Sequence, residues 1–263
     1  MCTGRSPFPL DARDVLTHAG DLTENGSFDE VRVELDWLSS QPHRYKTLVA
    51  GNHEVLLEDA FLSKYPERRY GQSETRHDLD WGSVTYLENS DVVLDVPGLG
   101  RRLKVYGSSM MPRYDFSAFQ TPRAGDVWTD RVPDDTKIIV TRGPPLAHFD
   151  GARRAGCTFL AREIARVRPR LVVCGHIHVA YGREDVVFGG VRRMYEGIEG
   201  GWVEWWALGR MALGVLKARS LEAVAGREKM VRREMFTTIV DAVVIGGPKN
   251  ELVNKPWVVD LCR

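Results

Sequence analysis

Residues 15–21, Val15-Leu16-Thr17-His18-Ala19-Gly20-Asp21, pass from an apolar strand directly into a polar turn. Two later stretches repeat this arrangement. Gly51-Asn52-His53-Glu54 follows the apolar run 47–50, and Gly175-His176-Ile177-His178 follows the apolar run 171–174. Rigid strands fix the loops beyond their ends, which is where binding and catalytic groups are often built. Three such loops in order predict one site at the strand ends of a layered fold.

The polar side chains of these loops include oxygen and imidazole donors but no sulfur: Asp21, Asn52, His176 and His178. Such a donor set suits Mn, Fe, Zn or Ni. One carboxylate can bridge two cations about 3.5–4 Å apart, the spacing found in two-metal phosphoesterases. His53, beside Asn52, could then protonate the leaving oxygen of a substrate. Any one of these short motifs can occur by chance in a structural role, so the prediction depends on their order and on the strand before each.

Short apolar and β-branched runs elsewhere predict further strands. They are Lys46–Ala50, Val84–Leu87, Val92–Val96, Arg102–Tyr106, Lys137–Thr141, Arg170–Cys174, Val186–Phe188, Thr237–Ile245 and Trp257–Leu261. A helix is predicted to open at Ser27, where Glu30 completes a capping box, and a second to run from about Cys157 to Val167. Strands alternating with helices favour an α/β fold, or an α+β fold with layered sheets.

The segment at about 202–235 has a different character, with a tryptophan-rich first half and a charged second half. It is predicted to be a helical insertion in a single domain spanning residues 1–263. Two interpretations stay open: an amphipathic helix packed on the core, or a lid or partner-docking surface.

Composition limits the possible settings and partners. The chain has 36 basic and 36 acidic residues, so it carries no global charge signature for nucleic acid or an anionic membrane. Its four cysteines are scattered and form no C-x-x-C pair, which is typical of reduced intracellular thiols. No signal peptide and no transmembrane span are predicted. We therefore expect a soluble cytoplasmic protein.

Taken together, these stretches resemble the calcineurin-like metallophosphoesterases. The likeness is greatest to the branch that includes the brain-expressed metallophosphoesterase-domain proteins and fungal and bacterial relatives. It runs through 14–23, 50–54, 140–145, 166–178, 243–249 and 257–261. The resemblance implies a four-layer αββα sandwich, with two β-sheets face to face and helices outside. It also implies two-metal hydrolysis of phosphomonoesters or phosphodiesters.

The resemblance assigns a role to each matching residue. Asp21 matches the carboxylate that bridges the two metals. Asn52 and His176 match ligands of the second metal, and His178 matches a ligand of the first. His53 matches the general acid, which also contacts phosphate.

Two parts of the family pattern do not match. The family begins with a strand ending in D-x-H, whose Asp and His hold the first metal. That strand and motif are not found in this sequence. The family also has a metal-binding histidine in a T-H-G-P-P segment, which here reads Thr141-Arg142-Gly143-Pro144-Pro145. Arg142 therefore replaces a metal ligand.

Charge makes this replacement consequential. Two divalent ions would bring four positive charges and Arg142 a fifth, against the one negative charge of Asp21. We expect at most one divalent ion per chain, and we expect the Arg142 guanidinium to reach Asp21 or the phosphate-binding space.

Three interpretations follow. The chain could be a hydrolase that uses one metal, or that uses Arg142 as a phosphate clamp. The natural protein could start upstream and include the D-x-H motif. Alternatively, the fold has lost hydrolysis and serves binding, or other chemistry on a small molecule.

Overall fold

A computed structural model describes residues 15–96, 102–151, 154–188, 209, 236–246 and 251–261. The helices are α1 (Phe28–Ser40), α2 (Asp59–Lys64) and α3 (Thr158–Val167), and 3-10 turns span Val55–Leu57, Pro66–Arg69 and Arg76–Asp78. The first strands are β1 (Val15–Ala19), β2 (Tyr45–Val49), β3 (Val84–Tyr86), β4 (Ser90–Asp95), β5 (Arg102–Ser108), β6 (Met111–Pro112) and β7 (Gln120–Thr121). The later ones are β8 (Ile138–Thr141), β9 (Leu171–Cys174), β10 (Gly182–Val187), β11 (Phe236–Asp241), β12 (Ile245–Gly246) and β13 (Glu251–Leu252).

Two main sheets form the body of the described structure. The first has the order β1-β2-β3 and is parallel throughout. The second has the order β10-β11-β9-β8-β5-β4, with four parallel strands in the middle and an antiparallel strand at each edge. Parallel strands of each sheet therefore bring their carboxyl ends to a common edge.

Alternating side chains along the strands define four layers. On β2, Leu48 packs in the cluster that contains α1, while the next residue, Val49, packs between the two sheets. On β9, Val172 packs in the cluster that contains α3, while Val173 faces the first sheet. This period of two is what buries both faces of each sheet. The predicted αββα sandwich is confirmed.

Both predicted helices form, and the capping box predicted at Ser27 is confirmed. The Ser27 side chain accepts from the Glu30 backbone N–H, and the Glu30 carboxylate accepts from the Ser27 N–H, so the capping box is present. Cys157 caps α3, whose C-cap is Arg168 in the left-handed region at φ 53°. These caps satisfy backbone groups that would otherwise have no partner at the helix ends.

Two strand predictions near the C-terminus are wrong: one strand is shorter than predicted, and the other does not form. The predicted strand Thr237–Ile245 ends at Asp241, because the Asp241 carboxylate accepts from the Val243 N–H and turns the chain away from the ladder. The segment Trp257–Leu261 is not a strand. It is held by side chains instead: the Trp257 indole N–H donates to the Asp241 carbonyl, and its ring stacks on Tyr181 at 5.1 Å.

The helical insertion predicted at about 202–235 lies outside the described residues, apart from residue 209. Of the four cysteines, Cys157 and Cys174 are described, and both are free and buried. Among the described helices, none is long and apolar enough to cross a bilayer.

Candidate functional site

The candidate site lies where four parallel strands end. The turn Gly20-Asp21 follows β1, and the loop from Gly51 follows β2. Arg142 directly follows β8, and the loop carrying His176 follows β9. The sandwich thus brings the three sequence motifs and the substituted position to one place.

Arg142 is the centre of this cluster. Its Nη2 donates to Asp21 Oδ2, to Asn52 Oδ1 at 3.1 Å and to His176 Nδ1 at 3.1 Å. Its Nε also donates to Asn52 Oδ1, at 3.3 Å. The Arg142 side chain is only 4% exposed. The expectation that the guanidinium reaches Asp21 is confirmed.

Glycines from three motifs make room for the arginine. A Cβ atom on Gly20, whose φ is +90°, would lie 2.8 Å from Arg142 Cδ. On Gly51 it would lie 3.0 Å from Arg142 Nε and 2.2 Å from Asp21 Oδ1, and on Gly175 it would lie 3.3 Å from Nη1. At Gly20 and Gly51 only a hydrogen fits, whereas at Gly175 a Cβ atom would press on the guanidinium. The three motif glycines therefore pack closely around the Arg142 side chain.

Glu54 connects the first two motifs through hydrogen bonds to their backbones. Its fully buried carboxylate accepts from the backbone N–H groups of Asp21 at 2.9 Å and Gly51 at 2.6 Å. It also accepts from the N–H and hydroxyl of Thr23. Burial, together with the charge of Asp21, raises the pKa of Glu54, while these hydrogen bonds oppose the rise. Sequence reasoning assigned no role to Glu54, although it follows the ligand-like Asn52 and His53 directly.

His176 is held in its neutral form. Burial first, and then the neighbouring Arg142 charge, lowers the pKa of His176 to about 3. A neutral ring can accept at Nδ1, which agrees with the hydrogen bond from Arg142. His176 also has a φ of +75°, a strained value for a residue with a side chain, and the ring of Tyr114 meets it edge-on.

Asp241 is a second carboxyl that sequence reasoning missed. It lies at the end of β11, opposite Cys174 on β9, and is fully buried. Burial raises the pKa of Asp241 to about 7, against smaller lowering effects from the Val243 N–H and the Arg142 charge. No sequence signal marks it, because its place depends on the pairing of two strands that are distant along the chain.

His53 and His178 stand apart from the hydrogen bonds that hold Arg142. His53 Nδ1 lies 2.6 Å from the Glu24 carbonyl oxygen, so Nδ1 is the protonated nitrogen that donates. Nε2 is then the atom through which His53 could exchange a proton with a ligand. His178 is half-buried in the loop after His176.

The arrangement does not fit a divalent ion at the position matched to the second metal. Three donors that would bind it, on Asp21, Asn52 and His176, already surround the guanidinium. Within the described ranges, no three His, Cys, Asp or Glu side chains converge as a metal-binding group. Two carboxylate oxygens, Asp21 Oδ1 and Asp241 Oδ2, are buried and have no hydrogen-bond partner among the described residues.

Comparison with known proteins identifies a matching family and two similar sequences. The sequence profile of the calcineurin-like phosphoesterases matches residues 6–180. The chain is 33% identical over 194 residues to metallophosphoesterase domain-containing protein 1 of Homo sapiens, covering 67% of this chain. It is 43% identical over 197 residues to a protein of Emericella nidulans named probable rhamnogalacturonate lyase C, covering 74% of this chain.

The chain spans only part of these relatives: 57% of the human protein and 18% of the fungal one. Among solved structures, the protein TT1561 of Thermus thermophilus aligns with a TM-score of 0.42 and 15% identity, covering 67% of this chain and 73% of that one.

Proposed function

Because the chain belongs to the calcineurin-like phosphoesterase family, we propose that it is a hydrolase of small phosphate esters in which Arg142 replaces one divalent ion. The family generally binds divalent metals, and the chain would keep the family's site at the strand ends. One observation carries the proposal: the buried guanidinium sits among Asp21, Asn52 and His176.

Electrostatics explains why the arginine excludes the second metal. A unit charge and a divalent ion about 4 Å apart repel by about 8 kcal/mol at an effective dielectric constant near 20. Asp21 would normally offset such a charge, but it is already paired with Arg142. A second divalent ion would therefore face the repulsion without a free carboxylate.

The same reasoning supports at most one divalent ion per chain, of Mn, Fe, Zn or Ni. Asp21 Oδ1 is the oxygen of the cluster that has no partner among the described residues. His178, matched by sequence to a ligand of the first metal, follows β9 two residues after His176.

In this proposal each side chain has a distinct task. Arg142 holds a fixed positive charge at the strand ends, and guanidinium geometry suits a phosphate oxygen. His53, as imidazolium, gives its Nε2 proton to the leaving oxygen. The carbonyl of Glu24 orients the ring for this transfer. Cys157 and Cys174, as free buried thiols, support a reducing compartment such as the cytoplasm.

A second candidate is favoured by the same contacts. Asp21 Oδ2, Asn52 Oδ1 and His176 Nδ1 are all engaged by Arg142, so the chain could bind phosphate esters without hydrolysing them, or support other chemistry on them. This is the binding function considered from the sequence.

Turnover of bis(4-nitrophenyl) phosphate and 4-nitrophenyl phosphate with added Mn separates the candidates. We expect slow hydrolysis by the wild type, reduced about 10²–10⁴-fold in His53→Ala. Binding of inorganic phosphate without any turnover would favour the binding function. Neither turnover nor phosphate binding would refute both.

A further inference from the structure

An exposed aromatic loop stands beside the cluster. It covers residues 113–119, between β6 and β7. Tyr114 on this loop is 56% exposed, and its ring centroid lies 6.1 Å from that of His176, at an interplanar angle of 85°. His176 accepts a hydrogen bond from Arg142, so the Tyr114 ring contacts a residue that is itself bonded to the positively charged guanidinium.

The loop is anchored at one end although the Tyr114 and Phe116 side chains face solvent. Phe119 is buried in the first core, and its N–H donates to the Glu58 carboxylate at 2.5 Å. The Tyr114 N–H donates to Gln120 Oε1 at 3.3 Å, and the Gln120 amide and the Ser117 hydroxyl both donate to Asp115. Because the loop backbone is already anchored, it loses little further conformational entropy when a ligand binds.

Two further apolar side chains are exposed on the loops that flank His176. Phe116, two residues after Tyr114, is 85% exposed, and Val179, directly after His178, is 91% exposed. A single exposed apolar residue is ordinary, but three on the two loops that meet at His176 are a local concentration. Binding sites commonly combine such apolar contacts with a few polar groups that fix orientation.

We propose that Tyr114, with Phe116 and Val179, forms a subsite for a flat aromatic group, and hence that the site prefers aryl phosphate esters over alkyl ones. This inference rests on the proposed function, because the phosphate is placed at Arg142. The phosphate is held by charge, and the aromatic group packs against the Tyr114 ring. Aromatic pairs contribute beyond the area that they bury, which corresponds to about two- to tenfold in affinity.

Calorimetric titration with inorganic phosphate, methyl phosphate and phenyl phosphate tests the subsite. The wild type should bind phenyl phosphate about two- to tenfold more tightly than methyl phosphate. Tyr114→Ala should remove this difference and leave the affinity for inorganic phosphate unchanged. Tyr114→Phe should keep it, because the ring remains.

Tyr70→Ala is the matched control, since it removes a similarly exposed tyrosine from the turn after Pro66–Arg69. It should leave all three affinities unchanged. Equal binding of phenyl and methyl phosphate by the wild type would overturn the subsite while leaving the proposed function standing. So would a preference that survives in Tyr114→Ala. Failure to bind any of the three compounds would instead overturn the proposed function, and the subsite with it.

Discussion

Replacing Arg142 by histidine should convert the strand-end cluster from an arginine site into a metal site. In the wild type, the guanidinium pairs with Asp21 and contacts Asn52 and His176, almost wholly out of water. The variant restores the residue that the family has in its T-H-G-P-P segment and removes the charge that opposes a cation. Metal affinity should rise while stability without metal falls.

The expected loss of unfolding free energy follows from the buried ion pair between Arg142 and Asp21. Removing one partner of a buried ion pair costs about 3–5 kcal/mol, because the remaining charge is left without compensation. At about 2–4 °C per kcal/mol for a chain of this size, the metal-free Tm of Arg142→His should drop by about 6–20 °C. A divalent ion at a hundred times its Kd should return about 2.7 kcal/mol.

Thermal unfolding with and without MnCl2 measures both effects. Arg142→His should lose stability without Mn and regain part of it with Mn, whereas the wild-type Tm should hardly respond. Arg142→Lys is the control, since it keeps a positive charge and should also show little response to Mn. If Mn stabilises the wild type as much as Arg142→His, or if Arg142→His gains no Mn response, then Arg142 is not what keeps the second metal out.

Further predictions concern the two buried carboxyls. Because the pKa of Asp241 is raised from 3.8 to about 7, its ionisation costs stability as the pH rises through that window. Urea unfolding should show that Asp241→Asn gains about 3 kcal/mol relative to the wild type between pH 5 and pH 8, and a pH-independent difference would contradict this. Glu54→Gln exchanges one acceptor oxygen for a donor that faces N–H or hydroxyl donors. It should lower the unfolding free energy by about 2–4 kcal/mol, and an unchanged urea midpoint would argue against the bracing role of Glu54.

The parts of the fold that were predictable are those with a local signal. Continuous apolar runs predicted the buried strands, and the Ser27–Glu30 spacing predicted the capping box of α1. The pairing of Arg142 with Asp21 was also predictable, because an arginine cannot give up its charge and Asp21 was the one carboxylate matched to the site. The first two inferences need only neighbouring residues, and the third needs a charge balance at positions that the family resemblance matches.

The parts that were missed depend on contacts between distant segments. Asp241 enters the site through the pairing of β11 with β9, and nothing in its own sequence neighbourhood marks it. Tyr114 lies against His176 although the two residues are far apart in the sequence. The segment Trp257–Leu261 has the composition of a strand, yet its indole hydrogen bond and ring stacking hold it without a ladder.

Elemental analysis of the purified wild-type chain after exhaustive dialysis would count the divalent ions that the strand-end site retains. If the Arg142 guanidinium takes the place of the second metal, the chain should retain no more than one divalent ion, and that ion should be weakly held. Two tightly bound divalent ions per chain would contradict the account.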